Sequence, residues 1–189
     1  MLLKNLINNL PKDKKKVFIE GLATNSKEVN KGYIFFAIKG NSKNGERFIK
    51  KAVVRGASVI VCSKNCKYKN KNVLIVKSTN IRRLLSDVSA KYYHLKPKNI
   101  IAVTGTNGKT SVADLFYQIL TLNNIPVASI GTLGVKYKNK IIETGLTSPS
   151  TISIHKYLQI IKKNKIDNVI IEATSHGLDQ SRIHNINFK

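Results

Sequence analysis

The chain has 189 residues, of which 42% are hydrophobic and 23% are charged, the composition of a globular rather than a disordered protein. No apolar run approaches the roughly 20 residues of a membrane span, and the N-terminus lacks the continuous apolar segment of a signal peptide. The two cysteines, Cys62 and Cys66, do not form a disulfide framework and are expected to be reduced thiols. We therefore expect a cytoplasmic protein with no membrane partner.

The charge is strongly basic. Lys and Arg number 33 against 10 Asp and Glu, a formal net charge of +23, which in general favours a polyanionic partner. However, 28 of the basic residues are Lys and only 5 are Arg, the residue that contacts bases and phosphates bidentately, and there is no Trp for base stacking. We interpret the charge as a compositional bias that attracts small anionic substrates such as nucleotides. We expect a monomer with no nucleic-acid partner, and keep a basic nucleic-acid-binding NTPase as an alternative.

Residues 1–96 are expected to form a small α/β domain. Short apolar runs predict strands over residues 33–38, 58–62 and 73–76. Apolar residues at helical spacing predict helices over 46–55 and 82–95. The Lys- and Asn-rich stretch 65–72 is expected to be a surface loop, and Pro97 marks the domain boundary.

Residues 97–189 are expected to form the first part of a P-loop-type, mostly parallel sheet domain. A buried strand is predicted at 100–103, an amphipathic helix covers 114–122, and another strand follows at 126–130. Residues 135–142 predict a hairpin turning near Asn139, a helix covers 151–163 with Ser150 or Thr151 as N-cap, and a last strand ends at Glu172. The whole chain is therefore of the α/β class.

A Gly-containing segment lies between the strand at 100–103 and the helix after it: Thr104, Gly105, Thr106, Asn107, Gly108, Lys109, Thr110 and Ser111. Glycines allow the backbone to approach phosphates, and the N–H groups at a helix N-terminus attract anions. In such a loop Lys109 reaches the β- and γ-phosphates, and the Thr110 hydroxyl binds Mg²⁺. The strict Gly-x-x-x-x-Gly-Lys-Ser/Thr pattern requires Gly at position 103, where this chain has Val103, so we predict a variant phosphate-binding loop.

A second motif, residues 172–178, begins where a buried strand ends. Ligands gather at the carboxyl edge of a parallel sheet, so Glu172 is a candidate Mg²⁺ ligand if its strand lies beside the phosphate-binding loop. His176 in the same motif is open to a ligand, hydrogen-bonding or structural role.

Together these segments resemble the Mur ligases, which build the peptide of bacterial cell-wall precursors. The loop 104–110 is similar to theirs, and the run 172–178, followed by Gln180 and Arg182, resembles the branch of UDP-N-acetylmuramoyl-tripeptide synthetases. Residues 146–149 resemble that branch's Thr-Thr-Pro substrate loop, with Ser148 in place of the second Thr. Residues 25–27 match the family's Asp-Ser-Arg site for the uridine end, although Asn25 and Lys27 replace the Asp and the Arg.

The resemblance implies a set of roles. ATP phosphates would be held by the loop 104–111, with Lys109 and Glu172 in catalytic positions and Thr110 and Glu172 serving Mg²⁺. Ser26, with the loop 41–44, would contact the uridine diphosphate. The muramoyl-dipeptide would be held by Thr147, Ser148, Ser175 and Arg182.

The resemblance further implies an ATP-dependent amide ligase of peptidoglycan biosynthesis. It would add a third amino acid, meso-diaminopimelate in preference to L-lysine, to UDP-N-acetylmuramoyl-L-alanyl-D-glutamate through an acyl phosphate. Family members are far longer, so we expect this chain to be an incomplete and inactive piece without the site for the incoming amino acid. The alternatives are a non-catalytic nucleotide- or UDP-sugar-binding module, and another Mur-type ligase with a different acceptor.

Overall fold

The computed structural model describes residues 1–8, 10, 16–40, 44–138, 140–145, 147 and 149–189. It divides into two compact units, Met1–Tyr92 and Tyr93–Lys189, each with its own sheet. Both units combine strands and helices, so the expected α/β class is confirmed. No helix within the described part of the chain is both long and apolar enough to cross a membrane.

The first unit contains a four-stranded parallel sheet in the order β1-β2-β3-β4. Its strands are β1 (Gly21–Ala23), β2 (Tyr33–Phe36), β3 (Val59–Ser63) and β4 (Leu74–Ser78). Its helices are α1 (Ile49–Val54) and α2 (Ile81–Tyr92). Side chains of β2, β3 and α1 form one core cluster, which includes Phe35, Ile60 and Ala52.

Two helices of the first unit differ from the sequence prediction. The helix expected over 46–55 begins with a 3₁₀ turn, Gly45–Phe48. The Asn44 side chain caps this turn, its Oδ1 accepting a hydrogen bond from Glu46 N at 3.1 Å. The helix expected over 82–95 ends at Tyr92. Stretch 65–72 has no helix or strand, as expected of a loop, but Cys66 within it is buried against β3.

The second unit contains a five-stranded sheet in the order β5-β9-β6-β7-β8. Its strands are β5 (Asn99–Val103), β6 (Val127–Gly131), β7 (Gly134–Tyr137), β8 (Lys140–Ile142) and β9 (Asn168–Glu172). Strands β5, β9 and β6 are parallel, and β7 and β8 add an antiparallel hairpin. Strands β5, β9 and β6 thus form the predicted parallel part of the sheet, and the hairpin makes the sheet mixed. Asn139, at the predicted hairpin turn, lies outside the described residues.

Three helices complete this unit: α3 (Lys109–Leu122), α4 (Thr151–Lys163) and the short α5 (Ser175–Asp179). Helix α4 has the predicted bounds, with the Ser150 hydroxyl accepting a hydrogen bond from Ser153 N at 3.2 Å. Its apolar face, represented by Ile154 and Leu158, is fully buried against the sheet core.

Helix α3 behaves differently from α4. Its apolar residues Leu115, Ile119 and Leu122 are 56%, 57% and 81% exposed, so the amphipathic pattern predicted for 114–122 does not face the described core. The helix is tied to the sheet partly by an ion pair between Asp114 and Lys136 of β7 at 2.7 Å. The hydrogen bond from Lys136 lowers the pKa of the Asp114 carboxyl.

Candidate functional site

The candidate site lies at the carboxyl edge of the second sheet. Val103 at the end of β5 is in register with Glu172 at the end of β9, and β6 runs parallel on the other side of β9. The carboxyl ends of three adjacent parallel strands therefore open onto one edge, where α/β proteins bind their ligands. The ends of these strands and the segments that leave them provide Lys109, Thr110, Thr132 and Glu172.

The loop from Thr104 to Gly108 connects β5 to α3 and is exposed. Gly105 and Gly108 have φ values of +150° and +80°, a backbone region that side chains with a Cβ rarely adopt. Val103, where the strict motif has Gly, is the last residue of β5, and its carbonyl accepts a hydrogen bond from Ala173 N at 2.9 Å. Val103 thus takes part in the hydrogen-bond ladder between β5 and the chain after β9, and the tight turn begins at the next residue.

The Lys109 side chain folds back over its own loop. Its ammonium group donates hydrogen bonds to the carbonyl oxygens of Gly105 and Thr106. A cation is thereby held directly above a run of backbone at the N-terminus of a 14-residue helix, where the helix dipole also favours anions. A cation beside an exposed loop at a helix N-terminus favours an anionic ligand.

Glu172 is 2% exposed, yet its carboxylate is well supplied with hydrogen-bond donors. The Thr110 hydroxyl donates to Oε2 at 2.8 Å. The backbone N–H of Thr132, just after β6, donates to Oε1 at 2.8 Å, and its hydroxyl lies 3.1 Å from Oε2. Thr110 and Glu172, the two Mg²⁺ ligands predicted from the sequence, are therefore in direct contact.

The fit of this cluster to Mg²⁺ follows from its donors. Three oxygen-bearing side chains converge, those of Thr110, Thr132 and Glu172, and Mg²⁺ prefers oxygen ligands. In the described ranges no group of three or more His, Cys, Asp or Glu is placed to hold a metal ion by itself. A single carboxylate beside a phosphate-type loop is the arrangement by which Mg²⁺ is held jointly by protein and nucleotide phosphates.

The predicted substrate residues are distributed over several segments. The Thr147 hydroxyl lies 3.1 Å from the Thr132 hydroxyl and so joins the Glu172 cluster. Ser148 lies outside the described residues. Ser175 is exposed at the start of α5, and the Arg182 guanidinium donates from Nε and Nη2 to Gln180 Oε1 at 3.2 and 2.9 Å.

Ser26 belongs to the first unit, where it begins a 3₁₀ turn over Ser26–Glu28 and is 6% exposed. The preceding Asn25 caps this turn by accepting a hydrogen bond from Lys27 N at 3.0 Å. Asn therefore performs the capping that an Asp would perform at that position. Of the loop expected to assist Ser26, only Asn44 is described, because 41–43 lie outside the described residues.

Two residues of the site are absent from the sequence prediction. Thr132 contacts Glu172 through both its backbone and its side chain, and Gly131 leaves room for that carboxylate, since a Cβ built there would overlap Oε1. The signal that points to them is their position in the sequence, because Gly131 ends a fully buried strand and Thr132 directly follows it.

Comparison with known proteins agrees with this layout. The family model described as "Mur ligase middle domain" matches residues 103–189, and "Mur ligase family, catalytic domain" matches residues 18–93. Curated relatives named UDP-N-acetylmuramoyl-L-alanyl-D-glutamate–2,6-diaminopimelate ligase include those of Zymomonas mobilis, 40% identical over 86% of this chain, and Wigglesworthia glossinidia brevipalpis, 37% identical over 99%. The chain spans only 33% and 39% of those two relatives.

Solved structures show the same fold. A UDP-N-acetylmuramoyl-L-alanyl-D-glutamate–2,6-diaminopimelate ligase superposes on all of this chain with a TM-score of 0.84 at 23% identity, the chain covering 39% of it. MurF ligase from Thermotoga maritima, solved in complex with ADP, superposes on 88% of the chain with a TM-score of 0.57 at 21% identity, the chain covering 34% of it. Two Mur ligase models match successive parts of the chain, residues 18–93 and 103–189, and the chain belongs to the Mur ligase family.

Proposed function

We propose that this chain is the nucleotide-binding and UDP-muramoyl-dipeptide-binding part of an ATP-dependent ligase. The reaction would join 2,6-diaminopimelate to UDP-N-acetylmuramoyl-L-alanyl-D-glutamate in the cytoplasm during peptidoglycan biosynthesis. The observation that supports it best is the convergence of Thr110, Glu172 and Thr147 at the carboxyl edge beside a phosphate-type loop. The names of the relatives favour diaminopimelate over L-lysine as the amino acid.

The loop 104–111 is proposed to hold the ATP phosphates. Lys109 exchanges the carbonyl oxygens of Gly105 and Thr106 for phosphate oxygens, and the backbone N–H groups at the start of α3 contribute partial positive charge. No new charge has to be buried for this exchange, because the Lys109 ammonium already lies over the loop. Binding therefore needs little rearrangement of the protein.

Thr110 and Glu172 are proposed to hold Mg²⁺ together with the nucleotide. When bound, the ion supplies neutralisation of the charge on the β- and γ-phosphates. The protein's own contribution is to hold the Glu172 carboxylate in one orientation through the N–H and hydroxyl donors of Thr132 and Thr110. That fixed orientation is what electrostatic catalysis requires, since no reorganisation is then needed during the reaction.

The substrate side is proposed to consist of Thr147, Ser148, Ser175 and Arg182 for the muramoyl-dipeptide and Ser26 for the uridine diphosphate. The substrate carboxylate would attack the γ-phosphate and release ADP to form an acyl phosphate, and the incoming amine would then displace phosphate to form the amide. Such phosphoryl transfer depends on positioning and charge neutralisation rather than on a protein nucleophile. The buried thiols of Cys62 and Cys66 then have no part in the reaction.

Calorimetric titration of the 189-residue chain tests the proposal. We expect binding of a non-hydrolysable ATP analogue with Mg²⁺, and separately of UDP-N-acetylmuramoyl-L-alanyl-D-glutamate. We expect no ADP release at an enzymatic rate when ATP, the UDP-sugar peptide and diaminopimelate are all present. Binding of neither ligand would overturn the proposal. Binding of the UDP-sugar peptide alone would favour a non-catalytic module, and a salt-dependent shift of a DNA duplex would favour the nucleic-acid alternative.

A further inference from the structure

Thr132 lies where the nucleotide side and the peptide side of the site meet. It follows β6 and contacts Thr110 at the start of α3, Glu172 at the end of β9, and Thr147. We infer that Thr132 is a positioning residue that couples binding of the Mg²⁺-nucleotide to binding of the muramoyl-dipeptide. The inference rests on the proposed function and adds to it a route between its two ligands.

Thr132 helps to hold the Glu172 carboxylate in place. Thr132 contacts both carboxylate oxygens, with its N–H 2.8 Å from Oε1 and its hydroxyl 3.1 Å from Oε2. Together with the Thr110 hydroxyl, 2.8 Å from Oε2, these contacts hold both carboxylate oxygens. The adjacent Gly131 has no Cβ to obstruct this position. The backbone contact survives any substitution at 132 other than Pro, whereas the hydroxyl contact depends on the side chain.

The Thr132 hydroxyl has a single proton to share between Glu172 and Thr147. A threonine hydroxyl has one proton to donate and can accept at its lone pairs. The Thr132 oxygen lies 3.1 Å from Glu172 Oε2 and 3.1 Å from the Thr147 hydroxyl, so it donates to one of them at a time. When Thr132 donates to Glu172, the Thr147 hydroxyl donates to Thr132, and its proton is not available to a ligand.

A cation on the nucleotide side changes which neighbour receives the Thr132 proton. A cation shared by Thr110 and Glu172 competes for the Oε2 lone pairs, so the Thr132 hydroxyl turns its proton toward Thr147. The Thr147 hydroxyl then accepts from Thr132 and has its own proton free to donate to an anionic or carbonyl group of the peptide. Occupation of the nucleotide side therefore prepares the peptide side, and by linkage the peptide tightens the nucleotide by the same factor.

The test is a coupling measurement on the 189-residue chain. UDP-N-acetylmuramoyl-L-alanyl-D-glutamate is titrated with and without a saturating Mg²⁺-bound, non-hydrolysable ATP analogue. We expect the analogue to tighten the peptide about fivefold, the lower end of ordinary site-to-site coupling. Thr132→Ser keeps the hydroxyl and should keep that factor, whereas the isosteric Thr132→Val should bring it to about one.

The possible outcomes test the proposed function and the role of Thr132 separately. A wild-type chain that binds neither ligand contradicts the proposed function itself. A wild-type chain that binds both ligands independently, or a Thr132→Val variant that keeps the wild-type coupling, overturns the role of Thr132 while leaving the proposed function intact. If Thr132→Val does not fold, Thr132→Ala removes the same hydroxyl with a smaller side chain, and wild-type coupling in that variant overturns the inference.

Discussion

Val103 and Glu172 face each other in register at the carboxyl ends of adjacent parallel strands. The carbonyl of Val103 accepts from Ala173 N at 2.9 Å, so the ladder continues one residue beyond Glu172 and holds its backbone in place. The phosphate-type loop starts at the residue after Val103. This pairing is what brings a buried carboxylate to the start of the α3 helix, 62 positions away from Thr110 in sequence.

Lys109→Met is expected to weaken binding of the Mg²⁺-bound ATP analogue at least tenfold. Hydrogen bonds to charged groups contribute about 1.5–3 kcal/mol, and a factor of ten in affinity corresponds to about 1.4 kcal/mol. The melting temperature should stay unchanged, because the Lys109 ammonium group hydrogen-bonds to carbonyl oxygens of its own exposed loop. Lys67→Met, which removes one charge from an exposed position of the first unit, is the matched control and should leave nucleotide affinity as in the wild type.

Glu172→Gln is expected to abolish the effect of Mg²⁺ on nucleotide affinity. The amide has nearly the shape of the carboxylate but no charge to share with a cation. The measurement is the ratio of analogue affinities with Mg²⁺ and with EDTA, which should exceed tenfold in the wild type and approach one in the variant. A variant that kept the wild-type ratio would show that Glu172 is not a metal ligand.

Gly131→Ala is expected to destabilise the chain by about 1–3 kcal/mol, the usual cost of overpacking. The added Cβ would overlap the Glu172 carboxylate, which is buried and cannot move to solvent. The decisive measurement is a double-mutant cycle by denaturant unfolding. In a Glu172→Ala background the same Gly131→Ala change should be neutral or stabilising by about 0.5 kcal/mol, because no conflict remains and φ at 131 is not positive. Additive effects would contradict the proposed packing.

His155 is expected to make the chain acid-sensitive. Burial, and then the nearby Lys96 charge 2.6 Å from Nδ1, lower its pKa from 6.5 to about 3. Burial also lowers the pKa of Lys96 to about 8. Between pH 3 and 6.5 the unfolded imidazole binds more protons than the folded one, so stability falls as pH falls through this window.

The wild type should therefore lose about 2 kcal/mol between pH 6.5 and 4.5 from this group alone. His155→Gln does not titrate and should lose that much less over the same interval, whatever its stability at pH 7. Denaturant unfolding at several pH values measures the difference. Parallel stability curves for the two proteins would show that His155 takes up its proton equally in both states.

The apolar side of α3 is expected to cause self-association. Leu115, Ile119 and Leu122 are each more than half exposed on one helix, and contiguous exposed apolar patches favour aggregation. The double change Leu115→Gln and Leu122→Gln should lower light scattering at high protein concentration while changing the unfolding free energy by less than about 1 kcal/mol. Leu158→Gln, a fully buried position on α4, is the contrasting control and should destabilise the chain strongly. Unchanged scattering in the double variant would contradict this prediction.

Local patterns were sufficient for much of the fold. The bounds of α4 follow from its Ser150 cap and its apolar spacing. The strand–turn–helix order after Pro97 follows from an apolar run, two glycines and a helical pattern, although α3 begins at Lys109 and not at 114 as predicted. The early end of α2 and the 3₁₀ start of α1 were not predicted, since helix ends depend on which N–H and C=O groups find partners nearby. The exposure of the apolar side of α3 was also not predicted, because a periodic pattern shows which side is apolar but not whether anything covers it.

By itself, then, the sequence determined most of the strands and helices in order, although not β1 and α5, together with the phosphate-binding loop and the resemblance to the Mur ligases. Each of these depends on residues close together in the chain. Only the tertiary structure decided that Thr110, Thr132, Thr147 and Glu172 share one cluster. The reason is the sheet: parallel pairing of β5, β9 and β6 aligns carboxyl ends that are tens of residues apart in sequence. That is why Glu172 was recognisable as a strand-end acid, while Thr132 became visible only through the carboxylate it holds.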